Sequence, residues 1–327
     1  MSQIPLSSLL GGLVQTNSLS QFGPSPTSSS APLRWIGVRP RFTQFNHELT
    51  LTPLQRTDGL IKAGGVVGSL NRRYYGSNSR TDNSFFIGSW SKDTAGRPPR
   101  DVDLYFVLPV EVYYRFEQHC WNKQSALLQE VKGVLAETYP DTDMSGDGQI
   151  VLVNFGSYNV EVVPAFLLKN GGYWICDTND GGRYKETHPS AEVSHIEMVD
   201  QATNRNLRPL IRMMKAWQEY CSVPIKSFQL ELVAAEFLAQ CPWRMYDYFW
   251  FDWISRDFFA YLYWKANKWI SVPGSGESIY LGDDWQSRAE SAYSRAVKAC
   301  DYERDNYVML AGEEWQKIFG QQIARSV

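Results

Sequence analysis

Residues 86–108, FIGSWSKDTAGRPPRDVDLYFVL, carry the strongest structural signal in this chain. An apolar run ends in the pair Gly88-Ser89, and a polar loop leads to a second apolar run that opens with Asp101 and Asp103. Because successive residues of a strand point to opposite faces, the two aspartates share one face, and Val102 shares the other with the apolar residues that alternate after it. The pattern predicts a strand with one buried face and two carboxylates at its beginning.

A third carboxylate, Glu161, lies in the strand-like segment NVEVVPAF. Together with Asp101 and Asp103 it can form a cage of hard oxygen ligands, which magnesium takes together with water and substrate phosphate. Two ions about 3.5–4 Å apart could then bridge the cage and a triphosphate. We therefore expect these three carboxylates to be catalytic and metal-binding. The alternative for a lone Asp-x-Asp pair is a solvated strand end.

The pair Gly88-Ser89 lies just ahead of the two aspartates. Glycine lets the backbone approach a ligand closely, and a serine hydroxyl with adjacent amides can hold phosphate oxygens. The alternative is an ordinary turn in which Ser89 caps a helix. In the loop that follows, Lys92, Arg97 and Arg100 are more typical of a solvated loop than of substrate contacts.

Two further segments suggest contacts to a nucleotide. In NLRPLIRMMKAWQEY the apolar residues form a helical stripe typical of a core, whereas Arg208, Arg212 and Lys215 fall on another face. That face is either a solvated basic surface or a place from which Lys215 reaches a triphosphate. In the next segment, Ser227 is either a helix N-cap or an anion contact at a helix start. Phe228 either joins the core or stacks on a base.

The chain divides into an α/β part and a helical part. We expect an N-terminal extension over 1–50, partly irregular, then a catalytic lobe over 51–188 that begins with a spine helix near 52–75. A helical lobe over 189–327 completes the cleft. The predicted fold class is α+β, with a mixed sheet covered by helices on one side. Predicted strands are 85–87, 102–108, 150–155 and 159–163, and predicted helices are 116–138, 190–203, 206–221, 228–240, 254–268, 285–301 and 302–319.

Composition excludes several classes of protein. The net charge of −3 argues against a domain held on DNA or RNA by bulk electrostatics. The five cysteines form no CxxC pair and no cluster with histidine, which argues against a disulfide framework and a zinc ribbon. No apolar stretch is long enough for a membrane span, and the first residues lack the basic segment that opens a secretory signal. We expect a cytoplasmic protein without a membrane association.

The segment from Trp243 to Trp269 is unusually aromatic. It is either packed core of the helical lobe or an exposed patch for a protein partner, because aromatic residues are enriched at interface centres. Trp264 and Trp269 do not share a helical stripe with Phe258 and Tyr261, so part of the segment is expected at the surface.

Taken in order, IGSWSKDT, DVDLYFVLP, VEVVPAF, LIRMMKAWQEY and IKSFQLELV resemble the bacterial cGAS/DncV-like nucleotidyltransferases (CD-NTases) of the polymerase-beta-like superfamily. The resemblance covers residues 55–300 and implies a bilobal enzyme with its active site in the cleft. It implies two magnesium ions, with manganese as a substitute. By this resemblance the metal ligands are Asp101, Asp103 and Glu161, the triphosphate contacts are Gly88, Ser89, Lys215 and Ser227, and Phe228 stacks on the donor base.

The resemblance also implies a function. NTPs, ATP among them, would be joined into a cyclic di- or trinucleotide second messenger with release of pyrophosphate, in antiphage signalling. A regulatory protein partner is expected and strong DNA binding is not. One departure is Glu161, since the family usually has aspartate there. The alternatives are a linear oligoadenylate synthase, a nucleotidyltransferase that modifies RNA or protein, and an inactive nucleotide-binding scaffold.

Overall fold

A computed structural model describes residues 34–120 and 122–327, and residues 1–33 of the predicted extension lie outside this part. The described chain packs around two large hydrophobic cores, one built on a mixed sheet and one almost entirely on helices. The strands are β1 Ser84–Phe86, β2 Asp101–Val107, β3 Met144–Asp147, β4 Ile150–Asn154, β5 Asn159–Leu167, β6 Tyr173–Asp177, β7 Arg183–Thr187, β8 Trp269–Ser271 and β9 Ser278–Tyr280. The helices are α1 Val38–Leu49, α2 Pro53–Tyr75, α3 Gly88–Ser91, α4 Val110–Glu117, α5 Lys123–Thr138, α6 Pro189–Ala202, α7 Leu207–Tyr220, α8 Ser227–Gln240, α9 Phe251–Tyr263, α10 Gln286–Arg304 and α11 Val308–Phe319, with 3-10 turns at Asn179–Gly181 and Tyr248–Trp250.

The catalytic lobe is built on a seven-stranded sheet in the order β1-β2-β5-β4-β3, and β6 and β7 extend it from the far half of β5. Strands β2 and β5 are parallel, and the other pairs are antiparallel. This confirms the expected mixed sheet. The parallel pair sets Asp101 and Asp103 beside the start of β5, which positions the candidate site.

The two faces of β2 have the character that its alternation predicts. Val102, Leu104 and Phe106 are fully buried in the core that the sheet shares with α2 and α5. Tyr105 lies in a smaller apolar cluster on the opposite face. The helices therefore cover one side of the sheet, and the other side is left for the cleft.

The predicted spine helix is confirmed as α2. Thr52 caps its first turn, and the side chain of Gln55 accepts from the Thr52 amide in return, which completes a capping box. The helix continues through its paired glycines without a break. A Cβ at Gly65 would meet the hydroxyl of Tyr139, so the missing side chain permits the close packing of the two elements.

In the catalytic lobe, the structure differs from the sequence-based prediction in one helix and in three strands. The single helix predicted over 116–138 is two helices, because Asn122 accepts a hydrogen bond from the amide of Ser125 and so starts α5 anew. Strands β3, β6 and β7 were not predicted. Their short or polar segments lack a clear apolar alternation, and pairing with a neighbouring strand defines them.

The helical lobe confirms the predicted series of helices, although α10 continues to Arg304 and α11 begins at Val308 rather than at residue 302. The apolar stripe on α7 is buried in the core of this lobe, as its spacing indicates. Of the predicted helices, 254–268 differs most, since α9 ends at Tyr263 and a short hairpin of β8 and β9 follows. The apolar stripe on α7 consists of Leu207, Leu210, Ile211, Met214 and Trp217.

Helix α1 lies within the segment predicted as an N-terminal extension, yet its apolar residues join the core of the helical lobe. Arg41 is fully buried, pairs with Glu303 at 2.7 Å, and donates to the carbonyls of Val308, Ala324 and Arg325. The first described helix therefore packs against the C-terminal residues of the chain.

The aromatic segment contributes to both the core and the surface. Phe251, Phe258 and Phe259 are fully buried, whereas Trp264 and Trp269 are 49% and 64% exposed. Within residues 34–120 and 122–327, no helix combines the length and apolar character that crossing a bilayer requires.

Candidate active site

A cavity of about 450 Å³ opens between the two lobes. The start of β2, the turn at α3, and helices α7 and α8 form its walls. Seven of the eight residues singled out from the sequence line it, and Glu161 is on β5, paired with Asp103. The seven are Gly88, Ser89, Asp101, Asp103, Lys215, Ser227 and Phe228.

The strand register brings the three carboxylates together. Asp103 is directly paired with Glu161 across the parallel strands, and their side chains share a hydrogen bond. Burial, and then the charge of Asp101, raises the pKa of Asp103. Burial, and then the charges of Asp103 and Asp101, raises the pKa of Glu161. The group therefore holds more negative charge than its surroundings neutralise, and its side-chain oxygens favour a cation or a proton.

The turn at Gly88 and Ser89 packs directly on this group. Gly88 has a φ of +57°, which favours glycine, and an ideal Cβ there would overlap the Asp103 carboxylate. The Ser89 amide donates to the same carboxylate. Ile87 is the N-cap of α3, so Ser89 does not cap it. The turn holds Asp103 in place at the cavity wall.

The donor set fits a hard divalent cation. As the side chains stand, no three His, Cys, Asp or Glu residues among the described ones close around a common point. Magnesium, however, is usually held by one or two carboxylates with waters and substrate phosphates rather than by a full protein cage. Asp101 and Asp103, which both line the cavity, supply such a pair, with Glu161 adjacent.

The basic face of α7 is not solvated. Arg212 is 8% exposed, and the three cations of this face all point at the loop that follows α3. We call these three side chains the basic ladder, because each donates to the carbonyl of the next loop residue. Arg208 donates to Lys92 at 2.8 Å, Arg212 to Asp93 at 2.9 Å and Lys215 to Thr94 at 3.3 Å.

A buried carboxylate on α8 binds both the loop after α3 and the last residue of the basic ladder. Glu231 is 3% exposed and accepts from Lys92 at 2.9 Å, from Lys215 at 2.6 Å and from the Thr94 hydroxyl at 2.8 Å. Burial alone would raise the pKa of Glu231, but the two lysines outweigh it and lower the pKa to about 2. Lys92 also pairs with Glu192 at 3.0 Å. Glu231 is therefore a charged link between the lobes.

The start of α8 differs from the expectation in one detail. Lys226, not Ser227, is the N-cap, and the Gln229 side chain accepts from its amide. The Ser227 hydroxyl donates to Gln218 at 2.8 Å and lies at the cavity wall. The Phe228 ring is half-buried there, with the ammonium of Lys92 4.7 Å from its centroid.

Sequence reasoning missed Lys92 and Glu231. Lys92 was expected in a solvated loop, but it is 3% exposed. Glu231 lies between the buried residues Leu230 and Leu232. A carboxylate inside such an apolar helix needs a cation partner, and this was the available signal.

The chain matches known proteins over its first lobe and beyond. The model of the Second Messenger Oligonucleotide or Dinucleotide Synthetase domain (SMODS) matches residues 37–200. The CBASS oligonucleotide cyclase CdnC of Escherichia coli (strain KTE188) is 28% identical over 163 residues. That alignment covers 46% of this chain and 49% of CdnC, so the chain spans about half the length of the curated relative it matches.

Solved structures share the fold across both lobes. CdnC of E. coli MS115-1, solved with ATP, aligns with a TM-score of 0.62 at 18% identity, covering 88% of this chain and 98% of that one. The apo form of DncV from Vibrio cholerae aligns with a TM-score of 0.65 at 13% identity, covering 86% and 96%. The described architecture is thus the bilobal fold of DncV and CdnC. With half of its length matched by the family model, the chain belongs to the SMODS family of second messenger oligonucleotide or dinucleotide synthetase domains.

Proposed function

We propose that this protein is a magnesium-dependent nucleotidyltransferase that joins NTPs into a cyclic di- or trinucleotide and releases pyrophosphate. One observation carries the proposal. Asp101 and Asp103 stand at the start of one strand, at the wall of a cleft, with Glu161 beside them and the Gly88-Ser89 turn packed on them. Nucleotidyl transfer needs such a group of hard oxygen ligands next to a place for a triphosphate.

The reaction joins an acceptor hydroxyl to the α-phosphorus of a donor NTP. The bond from the α-phosphorus to its bridging oxygen breaks, pyrophosphate leaves, and the acceptor hydroxyl gives up its proton near Glu161, to that carboxylate or to solvent. When bound by Asp101, Asp103 and Glu161, two magnesium ions would neutralise triphosphate charge and make the hydroxyl more acidic.

The opposite wall would hold the donor. Lys215 and Ser227 line the cavity from the helical lobe and can donate to phosphate oxygens, with Ser89 across from them. Phe228 offers an aromatic face on which a base can stack. Because these groups are already fixed by neighbours, catalysis would rest mainly on positioning and electrostatics.

The matched proteins support the choice of substrates and product. CdnC is described as a CBASS oligonucleotide cyclase and has been solved with ATP. DncV of Vibrio cholerae is described as a cyclic AMP-GMP synthase and has been solved with a linear intermediate. We infer ATP among the substrates, a cyclic product, and a role in antiphage signalling.

A protein partner would control the activity. CdnC has been solved in a complex with a HORMA protein, which supports regulation of this kind. The net charge of −3 supports the absence of strong DNA binding.

The test is pyrophosphate release from NTPs with magnesium by the wild type and by an Asp101→Asn/Asp103→Asn variant. We expect the variant to lose synthesis and keep its fold by circular dichroism. Asp141 and Asp143 offer a matched control, since they form an exposed Asp-x-Asp pair away from the cavity. Their double Asn variant should retain full activity. Wild-type product from the Asp101/Asp103 variant would remove the assignment.

A further inference from the structure

One carboxylate is shared by two lysines at the contact between the lobes. Lys92 follows the Gly88-Ser89 turn, and Lys215 comes from α7, yet both ammonium groups bind Glu231. The side chains of Lys92 and Glu231 are each 4% exposed, and that of Lys215 is 19% exposed. Two like charges are therefore held close together by a shared anion, and Lys92 has a second carboxylate partner in Glu192 at 3.0 Å.

Lys215 and Lys92 make different contacts at the cavity. The three donors of Lys215 go to Glu231 and to the carbonyl and hydroxyl of Thr94, at 2.6, 3.3 and 3.2 Å. The two contacts to Thr94 are long, so they are the ones a phosphate oxygen can replace. Lys92 lies over the Phe228 ring and fixes one of its faces.

The basic ladder adds an independent constraint. Arg208 and Arg212 hold the backbone of Lys92 and Asp93 from the same helix that carries Lys215. The loop after the Gly88-Ser89 turn is thus fixed to the helical lobe through its backbone and its lysine. Any loss of the shared anion would act on both walls of the cavity.

We propose that Glu231 is a positioning residue for nucleotide binding. It holds Lys215 where its ammonium can bind the triphosphate, and it holds Lys92 against the Phe228 ring on which the base stacks. The inference rests on the proposed function. Glu231 acts through the two lysines, because its carboxylate lines the cavity with its oxygens bonded to Lys92, Lys215 and Thr94. It predicts that Glu231 affects affinity for NTP more than the rate of the chemical step.

The experiment compares Glu231→Gln with Glu236→Gln. Both are glutamates on α8, but the Glu236 side chain is exposed, and its contacts are to Lys265 and Tyr261. We expect Glu231→Gln to raise the KM for ATP and its Kd about tenfold, the effect of roughly one lost charge-assisted contact, with a smaller change in kcat. Glu236→Gln should change neither constant more than about twofold.

Two further variants separate positioning from a purely structural role. Glu231→Asp keeps the charge and should recover much of the ATP affinity. In a Lys215→Met background, Glu231→Gln should raise the Kd much less than it does in the wild type, because one of its partners is already gone. Melting temperatures of all variants show whether folding contributes to the result.

The outcomes are distinct. If the wild type binds ATP and Glu231→Gln binds it equally well, or if the effects of Glu231→Gln and Lys215→Met simply multiply, the positioning role is wrong while the proposed function stands. If the wild type neither binds ATP with magnesium nor releases pyrophosphate, the proposed function fails, and the positioning role fails with it.

Discussion

Gly88 lies against the carboxylate of Asp103 so closely that no side chain fits between them. The left-handed backbone of Gly88 turns the chain over the start of β2, and the next amide, that of Ser89, donates to the same carboxylate. The turn and the metal-binding candidate are therefore one structural unit. A change at the glycine is a change at the carboxylate.

Gly88→Ala should disrupt this unit. The added methyl strains a positive φ by roughly 1–2 kcal/mol and displaces Asp103, and a displacement near 1 Å can lower turnover about hundredfold. Nucleotide synthesis and urea unfolding measure the two effects. Gly133→Ala is the control, because Gly133 lies inside α5 with open space around its Cβ position. It should stabilise the fold by roughly 0.5–1 kcal/mol and leave synthesis unchanged. Normal synthesis by Gly88→Ala would contradict the unit described above.

Magnesium should stabilise the protein even without nucleotide. Asp103 and Glu161 have raised pKa values, so the folded state binds their protons more tightly and loses stability as the pH rises through those values. A bound cation removes that cost. At pH 8 we expect millimolar magnesium to raise the melting temperature and EDTA to reverse the effect. The Asp101→Asn/Asp103→Asn variant should melt higher than the metal-free wild type and show no response to magnesium. An equal response of both proteins would place the ion elsewhere.

Asp252 should make stability depend on pH. It is fully enclosed in the helical lobe, and burial raises its pKa from 3.8 to about 8. Between these values the unfolded chain releases the proton and the folded chain keeps it, so stability falls with rising pH by at most about 1.4 kcal/mol per unit. The neighbouring charges are Arg256, Glu303 and Asp257.

Urea unfolding at pH 5.5 and 7.5 tests this dependence. The wild type should lose more stability between the two values than Asp252→Asn, whose amide cannot titrate. The same pH slope in both proteins would show that Asp252 is ionised throughout.

The sequence was sufficient for the parts of the structure that local pattern controls. The alternation in β2 predicted both its buried face and the placement of Asp101 and Asp103, since strand geometry leaves a period of two. The stripe on α7 was predicted from helical spacing, since residues three and four apart share one face of a helix. The residues alone left Ser227 and Phe228 open between a structural role and a nucleotide contact, the resemblance favoured the contact, and the structure brings both to the cavity.

Contacts between distant segments were beyond such reasoning. Lys92 and Glu231 are 139 positions apart, and only the packing of the two lobes brings them together. The place of α1 in the core of the helical lobe is a similar case, because a short helix far from that lobe in sequence shows no sign of its partner. Edge strands such as β7 depend on pairing rather than on their own composition.

The most direct measurement is the mass of the product made from all four NTPs with magnesium. Products of the wild type and of the Asp101→Asn/Asp103→Asn variant are treated with phosphatase and exonuclease and read by mass spectrometry. We predict a resistant species from the wild type that lacks one water relative to the linear oligonucleotide, and none from the variant. If the wild type makes a product in quantity that the phosphatase and the exonuclease both digest, the protein is a linear synthase, which would contradict cyclisation.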